Sequence, residues 1–227
     1  MKLVIFDCDG TLVDSQHAIC AAMTHAFGAL GLRAPDRAEM LGIVGLSLPQ
    51  AFAVLARQHS PSVQAELAEL YRSDFRGKGG DRAAAHDPVY AGVAKAVGAL
   101  AGRADMRLGI ATGKSRRGVA RILQREGWSD LFVTIQTADD HPSKPHPSMI
   151  LRAMGEVDVE PRSTLMVGDS TYDMEMARNA CVGALGVAWG YHAPERLRHA
   201  GAYAVVERTD ALLVASDACL AAQEETA

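Results

Sequence analysis

Short, almost wholly apolar runs recur along the chain, and each ends near a glycine, threonine, serine, aspartate or tryptophan. There are five of them: KLVIFD, MRLGIATG, LFVTIQTAD, TLMVGDS and GALGVAW. Strands this continuously apolar are buried on both faces, as in parallel sheets. Helical segments lie between them, such as residues 116–126, which Gly127 should end, and residues 147–154. The alternation predicts an α/β fold with a doubly wound, Rossmann-like parallel sheet.

One region breaks this alternation. Between the first two runs the chain has only alanine-rich helical patterns, AICAAMTHAFGALG, LPQAFAVLARQ and VQAELAELYRSDF, followed by the loose stretch GKGGDRAAAHDP. We therefore predict a small all-helical domain over residues 15–87, inserted into a core formed by residues 1–14 and 88–227. Hinges are expected near residues 14–16 and 77–87.

Composition and charge narrow the range of partners. The chain has 227 residues, 48% of them hydrophobic, which is enough for a large domain with an insertion. Its net charge is -4, and its 23 basic residues are dispersed, so we expect no nucleic-acid or membrane partner. No apolar run reaches the roughly 18 residues of a membrane span, and the first run is too short for a signal peptide. We expect a cytoplasmic monomer or homodimer.

Polar side chains collect where the predicted strands end. The carboxyl ends of parallel strands form the binding edge of an open α/β sheet. That edge should carry Asp7, Asp9, Gly10, Thr11, Thr112, Gly113, Lys114, Lys144, Asp169, Ser170 and Asp173. Carboxylates from separate strands repel one another unless a cation lies between them. Oxygen ligands without nearby histidine or cysteine indicate a hard divalent ion, most simply Mg²⁺.

A carboxylate can also attack phosphorus and form an aspartyl-phosphate. Asp7, at the end of a rigid buried strand, is the predicted nucleophile. Asp9 is the predicted acid that protonates the leaving alcohol and later the base that activates water, which requires desolvation under a closing lid. Thr112 and the N–H of Gly113 should bind phosphoryl oxygens, and Lys144 should neutralise charge.

Two further carboxylates complete the predicted metal site. Asp169 is expected to bind the metal directly. Asp173 lies one helical turn further along, where it could bind the metal or support Asp169.

The stretch GIATGKS, residues 109–115, resembles the end of a nucleotide-binding P-loop. That loop requires a glycine at position 108, but the residue is Leu108. We interpret the stretch as a strand end that presents the Thr112 hydroxyl and the Gly113 N–H to a phosphoryl group. Lys114 is then expected to be a surface or rim residue.

Four motifs, DCDGTLVDS, ATGKS, SKPHPS and VGDSTYDMEMARNA, resemble those of the haloacid dehalogenase superfamily, in the same order. The helical insertion resembles its small α-helical cap, and GVAWGYHAPERLRHAGA resembles the phosphoglycolate phosphatase branch. The resemblance covers nearly the whole chain and implies that the metal ligands are Asp7, the backbone carbonyl of Asp9, and Asp169, with Asp173 as a further acidic residue. Gly113 departs from the pattern, because asparagine is common at that position.

The residues and the resemblance together predict a Mg²⁺-dependent phosphatase that acts on a small phosphorylated metabolite, with phosphoglycolate as the favoured substrate. Sugar-phosphate phosphatases, pyrophosphatases and phosphoglucomutase-type mutases are alternatives within the superfamily. A mutase usually has valine where this chain has Thr11, and a dehalogenase generally lacks the second aspartate of the D-x-D pair. A receiver-like phospho-switch is the alternative outside the superfamily, but Asp139 and Asp140 follow the wrong strand for it.

Substrate contacts are predicted for Thr11 and Gly113 in the core, and for Ser47 and Arg72 in the inserted region. GIVGLS, residues 42–47, fits either an ordinary turn between helices or a loop that faces the active site. Arg72 lies on a predicted helix where its guanidinium could bind a substrate carboxylate through two hydrogen bonds, although surface arginines are common.

Overall fold

A parallel sheet forms the centre of the molecule. The computed structural model describes residues 1–75 and 87–225. The six strands of the sheet are β1 (Lys2–Phe6), β2 (Met106–Thr112), β3 (Phe132–Thr137), β4 (Thr164–Gly168), β5 (Gly183–Val187) and β6 (Ala204–Val206). They lie in the order β3-β2-β1-β4-β5-β6, and every pairing is parallel. The predicted α/β fold is confirmed, and β6 is a strand that the pattern did not indicate.

Strand β1 lies between β2 and β4, and its register sets the positions of the residues that follow. Phe6 pairs with Ile110 on one side and with Val167 on the other. The N–H of Asp7 extends the pairing by donating to the Val167 carbonyl at 2.9 Å. The three central strands therefore end at nearly the same level, which brings their C-terminal residues together.

Six helices cover the sheet: α5 (Val93–Ala101), α6 (Arg116–Glu126), α7 (Ser148–Val157), α8 (Thr171–Asn179), α9 (Pro194–Ala200) and α10 (Leu212–Glu225). The predicted helix over 116–126 is confirmed, and Gly127 ends it with a φ of 69°. The helix predicted over 147–154 begins one residue later and continues to Val157, where Asp158 takes the left-handed conformation that ends it.

The two faces of the sheet bury separate cores, as the doubly wound arrangement requires. On β1, Val4 and Phe6 pack with one cluster, whereas Leu3 and Ile5 pack with the other. This alternation follows from the pleat, which points successive side chains to opposite faces. The first core includes side chains of α5, α6 and α10, and the second includes side chains of α7, α8 and α9.

Among the described residues, four helices lie between β1 and α5: α1 (Gln16–Ala29), α2 (Arg37–Leu41), α3 (Leu48–Leu55) and α4 (Pro61–Asp74). They bury two apolar clusters of their own, in which the rings of Phe27 and Phe52 lie 6.2 Å apart. We call residues 15–75 the cap. The boundaries 15–87 remain a prediction, and the second predicted hinge lies outside the described residues except for Asp87.

The sequence predicted that no segment of the chain spans a membrane. Within residues 1–75 and 87–225, no helix is both long enough and apolar enough to cross a bilayer.

Candidate active site

Three buried carboxylates meet at the C-terminal edge of the sheet. Asp7 follows β1, Asp169 follows β4, and Asp173 lies in the first turn of α8. One carboxylate oxygen from each lies within 4.8 Å of the other two, and each residue is at most 1% exposed. Buried like charges at this separation are costly unless a cation compensates them. The cluster is therefore suited to hold a positive ion.

The ammonium group of Lys144 supplies part of the compensating charge. Its Nζ lies 2.6 Å from Asp173 Oδ1 and 2.9 Å from Asp7 Oδ1. The contact with Asp173 is a hydrogen bond. The contact with Asp7 is an ion pair without hydrogen-bond alignment, and Asp7 Oδ1 has no hydrogen-bond donor among the described residues. One lysine among three carboxylates leaves an excess of negative charge and an oxygen available to a ligand.

The pKa values of these groups reflect burial and mutual repulsion. Burial raises the pKa of Asp7 to about 6, Lys144 opposes this increase, and Asp173 adds to it. Burial, together with the charges of Asp173 and Asp7, raises the pKa of Asp169 well above its ordinary value. Burial disfavours the charged form of Lys144, but the carboxylates of Asp173 and Asp7 more than offset this effect and raise its pKa. A hard divalent cation fits this oxygen-only donor set.

Asp169 is held by neighbours that leave it little freedom. Its Oδ1 accepts a hydrogen bond from the Thr11 hydroxyl at 2.9 Å, and its Oδ2 accepts one from the Tyr191 N–H at 2.8 Å. Gly10 has a φ of 86°, and a Cβ at this position would lie 2.2 Å from Asp169 Oδ2. The structure therefore places the Thr11 hydroxyl on a predicted metal ligand, and its predicted substrate contact remains untested.

Asp173 is fixed from its other side by the start of α8. Its Oδ2 accepts hydrogen bonds from the Ser170 N–H at 3.0 Å and the Ser170 hydroxyl at 2.7 Å, as part of a capping box. Because Lys144 takes its Oδ1, both oxygens of Asp173 already have donors.

Thr112 and Gly113 lie at the end of β2, as predicted. Thr112 is 1% exposed, and its Oγ1 accepts a hydrogen bond from the Lys114 N–H at 3.2 Å. Its hydroxyl also helps to lower the pKa of Asp7 against the effect of burial. The hydroxyl is thus close to the predicted nucleophile, where it could bind a phosphoryl oxygen.

Asp9 lies apart from the carboxylate cluster. Its Oδ1 accepts a hydrogen bond from Lys114 Nζ at 2.7 Å and another from the Ser15 hydroxyl. Lys114 Nζ also contacts Asp87 Oδ2 at 3.5 Å. The Asp9 side chain therefore faces a second cation, and a metal contact from its backbone carbonyl remains a prediction.

Two expectations differ from this arrangement. Lys114 is no surface residue, because its ammonium binds two buried carboxylates and its side chain is only 15% exposed. The sequence also predicts that Asp14 and Ser15 form a hinge and a cap of the first inserted helix. Ser15 precedes α1, but its hydroxyl donates to Asp9 and makes no capping hydrogen bond. The Gln16 N–H, at the start of the helix, donates to Asp14 Oδ1 at 3.2 Å.

The loop between α2 and α3, residues 42–47, faces the active site, which decides between the two interpretations of GIVGLS. The Ser47 N–H donates to Ser143 Oγ at 2.8 Å, beside Lys144. The Tyr172 hydroxyl donates to the Gly42 carbonyl at 3.1 Å. Gly113 comes so close to this loop that a Cβ there would lie 2.6 Å from the Gly45 carbonyl oxygen. The cap is therefore docked on the core.

A cavity of about 770 Å³ lies between cap and core. Asp7, Asp9 and Thr112 open onto it from the core. Two of the predicted substrate residues, Ser47 and Arg72, line it from the cap. Gly113 also lines it, so three of the four predicted substrate residues share one space, whereas Thr11 is not among its lining residues.

Comparison with known proteins places this chain in a family. The model of the family described as haloacid dehalogenase-like hydrolase matches residues 4–187. The chain belongs to this family. The match spans β1 to β5 with the cap, so the superfamily and hydrolase class predicted from the motifs are confirmed.

Relatives of this haloacid dehalogenase-like hydrolase include phosphatases. A protein named Probable phosphatase IndB from Dickeya dadantii is 34% identical over 96% of this chain and 94% of its own length. A protein named Phosphoglycolate phosphatase from Vibrio vulnificus is 30% identical over 85% of this chain and 86% of its own length. The crystal structure of a predicted phosphatase from Clostridium acetobutylicum superimposes with a TM-score of 0.83 at 25% identity, covering 94% of this chain and 97% of that one.

Asp87 and Tyr191 contribute to the site of this hydrolase, although the sequence predicted no role for either. Asp87 approaches Lys114, and the Tyr191 hydroxyl accepts a hydrogen bond from the Ser15 N–H at 3.0 Å. Asp87 follows a loose polar stretch, and no local pattern distinguishes it from an ordinary loop aspartate. Tyr191 lies in the stretch that resembles the phosphoglycolate phosphatase branch, which was the one signal available for it.

Proposed function

We propose that this hydrolase is a Mg²⁺-dependent phosphatase that cleaves small phosphate monoesters through an aspartyl-phosphate on Asp7. The observation that carries the proposal is the buried cluster in which Lys144 Nζ lies within 2.9 Å of Asp7 and 2.6 Å of Asp173, with Asp169 beside them. Asp7, Asp169 and Asp173 would hold the ion. When bound, Mg²⁺ would offset the negative charge of the phosphoryl group and of the cluster.

The side chains then have distinct tasks. Asp7 attacks phosphorus, and the bond to the ester oxygen breaks as the new oxygen–phosphorus bond forms. Asp9 gives its proton to the departing alcohol, then takes one from the water that hydrolyses the aspartyl-phosphate. Thr112 and the Gly113 N–H bind phosphoryl oxygens, and Lys144 stabilises their charge. The docked loop over residues 42–47 helps to exclude bulk water during attack.

Phosphoglycolate is the first small ester to test, because it is the substrate predicted from the sequence and several relatives are named Phosphoglycolate phosphatase. The experiment measures inorganic phosphate released from phosphoglycolate, sugar phosphates and pyrophosphate, in Mg²⁺ and in EDTA. We expect phosphate release in Mg²⁺, and a loss of activity in EDTA that added Mg²⁺ reverses. A folded protein that releases no phosphate from any ester would refute the proposal, and transfer to a sugar instead of water would indicate a mutase.

The close approach of Gly113 to the cap loop predicts a specific sensitivity. Alanine at this position would place its Cβ 2.6 Å from the Gly45 carbonyl oxygen and 2.7 Å from that of Leu46. Because both are backbone atoms, the loop must move away, and the cap can no longer dock as it does here. We expect Gly113→Ala to lower kcat/KM by about tenfold to a hundredfold, as misplacement of catalytic groups does.

Gly155→Ala is the matched control for this substitution. Gly155 lies inside α7, and a Cβ there would meet nothing within 4 Å. Alanine should leave the kinetics unchanged and stabilise the helix by about 0.5–1 kcal/mol. If both variants kept wild-type kcat/KM, cap docking at Gly113 would have no role in turnover.

A further inference from the structure

The cavity between cap and core is large for the substrate predicted from the sequence. Its volume of about 770 Å³ lies within the range of roughly 300–1,000 Å³ typical of sites for drug-sized ligands. The alcohol half of phosphoglycolate is a short polar fragment that would leave most of this space unfilled. The volume favours a bulkier ester.

Much of the wall is apolar, and most of the apolar part comes from the cap. Apolar side chains from α1 and from the loop over residues 42–47 line it, together with one ring of α4, the ring that follows α4 and one residue of α6: Ile19, Met23, Val44, Leu46, Tyr71, Phe75 and Ile122. The rings of Tyr71 and Phe75 lie 5.1 Å apart. Apolar walls gain free energy only by excluding water from an apolar ligand surface, which a small polar ester does not present.

The same cavity has basic groups beyond those assigned to the transferred phosphate. Arg117 and Arg121 lie one turn apart on α6, and Arg72 lines the cavity from α4. Arg121 donates to the Phe75 carbonyl at 3.1 Å, which links the basic face of α6 to the cap, and Arg72 pairs with Glu69.

Arg117 differs from these two arginines, because its guanidinium has no hydrogen-bond or ion-pair partner within residues 1–75 and 87–225. Three carboxylates that line the cavity contact other groups instead of Arg117. Asp139 accepts a hydrogen bond from the backbone N–H of Arg116, and Asp9 and Asp87 contact Lys114. A guanidinium is suited to bind a carboxylate or phosphate through two hydrogen bonds.

We propose that the preferred substrate is a phosphate monoester whose alcohol half carries an apolar ring or branched chain and a second anionic group, which Arg117 binds. This inference rests on the proposed phosphatase function. The transferred phosphoryl group lies against Asp7 and Thr112, the apolar part lies between the cap and α6, and the second anion reaches the guanidinium of Arg117.

The experiment compares kcat/KM in Mg²⁺ for five esters. Meta- and para-carboxybenzyl phosphate carry the ring and the second anion, the corresponding carbamoylbenzyl phosphates are neutral esters of the same size, and phosphoglycolate carries the anion without the ring. All the benzyl esters release similar alcohols, so leaving-group chemistry changes little among them. We expect at least one carboxybenzyl ester to exceed phosphoglycolate by about tenfold or more. It should exceed its carbamoyl counterpart by about fivefold.

Arg117→Gln tests the assignment of the anion site. It should lower kcat/KM for the carboxybenzyl esters more than for the carbamoyl esters and so abolish the preference for carboxyl over carbamoyl. The fold should be kept, since Arg117 is exposed and has no partner among the described residues. Arg116→Gln is the matched control. Arg116 is the residue next to Arg117, and its guanidinium binds Asp140, which does not line the cavity. That variant should keep the full preference.

The outcomes separate the two proposals. If no ester, phosphoglycolate and sugar phosphates included, releases phosphate, the phosphatase proposal fails. If phosphoglycolate is hydrolysed at least as well as both carboxybenzyl esters, the phosphatase proposal stands and the inferred substrate class is wrong. If the carboxyl preference survives Arg117→Gln, Arg117 is not the anion site and the inference is overturned.

Discussion

Asp7→Asn is expected to reduce phosphate release by about 10⁴-fold or more, the scale on which loss of a nucleophile acts in other hydrolases. The amide has nearly the shape of the carboxylate but does not attack phosphorus. The rate is measured as phosphate released in saturating Mg²⁺. Rapid acid quench and mass spectrometry should also find a phosphoryl group on the Asp7 peptide of the wild type, and none in the variant.

The same substitution should not unfold the protein, which separates loss of chemistry from loss of structure. Burial raises the pKa of Asp7 to about 6, so its ionised form is less favourable in the folded state than in the unfolded chain. A neutral amide removes a charge that Asp173 and Asp169 repel. In EDTA at neutral pH, we expect the midpoint of thermal unfolding to stay the same or to rise.

Asp139→Asn is the matched control for Asp7→Asn. Asp139 is an exposed carboxylate that lines the same cavity, and we assign it no part in the chemistry. Its activity should stay within about threefold of wild type. An Asp7→Asn protein that kept more than about a hundredth of the wild-type rate would exclude Asp7 as the nucleophile.

The composition of this site was predictable because strand ends in a parallel sheet converge at one edge. Asp7, Thr112 and Asp169 each follow an apolar run that could only be a buried strand. Their convergence also needed the strand order, since β1 lies between β2 and β4, and the alternation of elements does not give that order. No strand order was predicted, and the structure supplies it.

Two sets of contacts around the cavity could not be predicted in the same way. Lys114 was expected at the surface or rim because GIATGKS was interpreted as a strand end and not as a P-loop, yet its ammonium binds Asp9 and Asp87, which are distant along the chain. Residues 42–47 fitted two interpretations, since a turn between helices has the same composition wherever it lies. Such contacts join residues that are far apart in the sequence, which local periodicity does not encode.

Strand β6 shows a limit of another kind. It has three residues, Ala204–Val206, at the edge of the sheet, where they are less buried than the central strands. A run this short gives no period that distinguishes a strand from a loop. Its pairing with β5 supplies the information that the sequence pattern lacks.

Lys144→Met should destabilise the protein at neutral pH in EDTA by about 3–5 kcal/mol, the cost typical of removing one partner from a buried ion pair. The ammonium lies among buried carboxylates, and a methionine of similar length leaves Asp7 and Asp173 without their counter-charge. Denaturant unfolding measures the loss. Lys95→Met is the control, because Lys95 is an exposed residue of α5, and it should change stability by less than about 0.5 kcal/mol.

The pH dependence of this loss of stability distinguishes the loss of a charge from the loss of packing. The pKa of Asp7 is about 6 in the folded protein against an ordinary value of 3.8, and without Lys144 it rises further. At pH values between the unfolded and the folded pKa of Asp7, the folded state binds more protons than the unfolded chain. The stability of the variant therefore falls as pH rises through this range. The deficit relative to wild type should be largest above about pH 7 and should shrink as pH falls below about 4, where Asp7 becomes protonated in the unfolded chain as well as in the folded protein. A deficit that stayed constant from about pH 4 to pH 8 would mean that Lys144 stabilises through its buried methylene groups, because packing does not titrate.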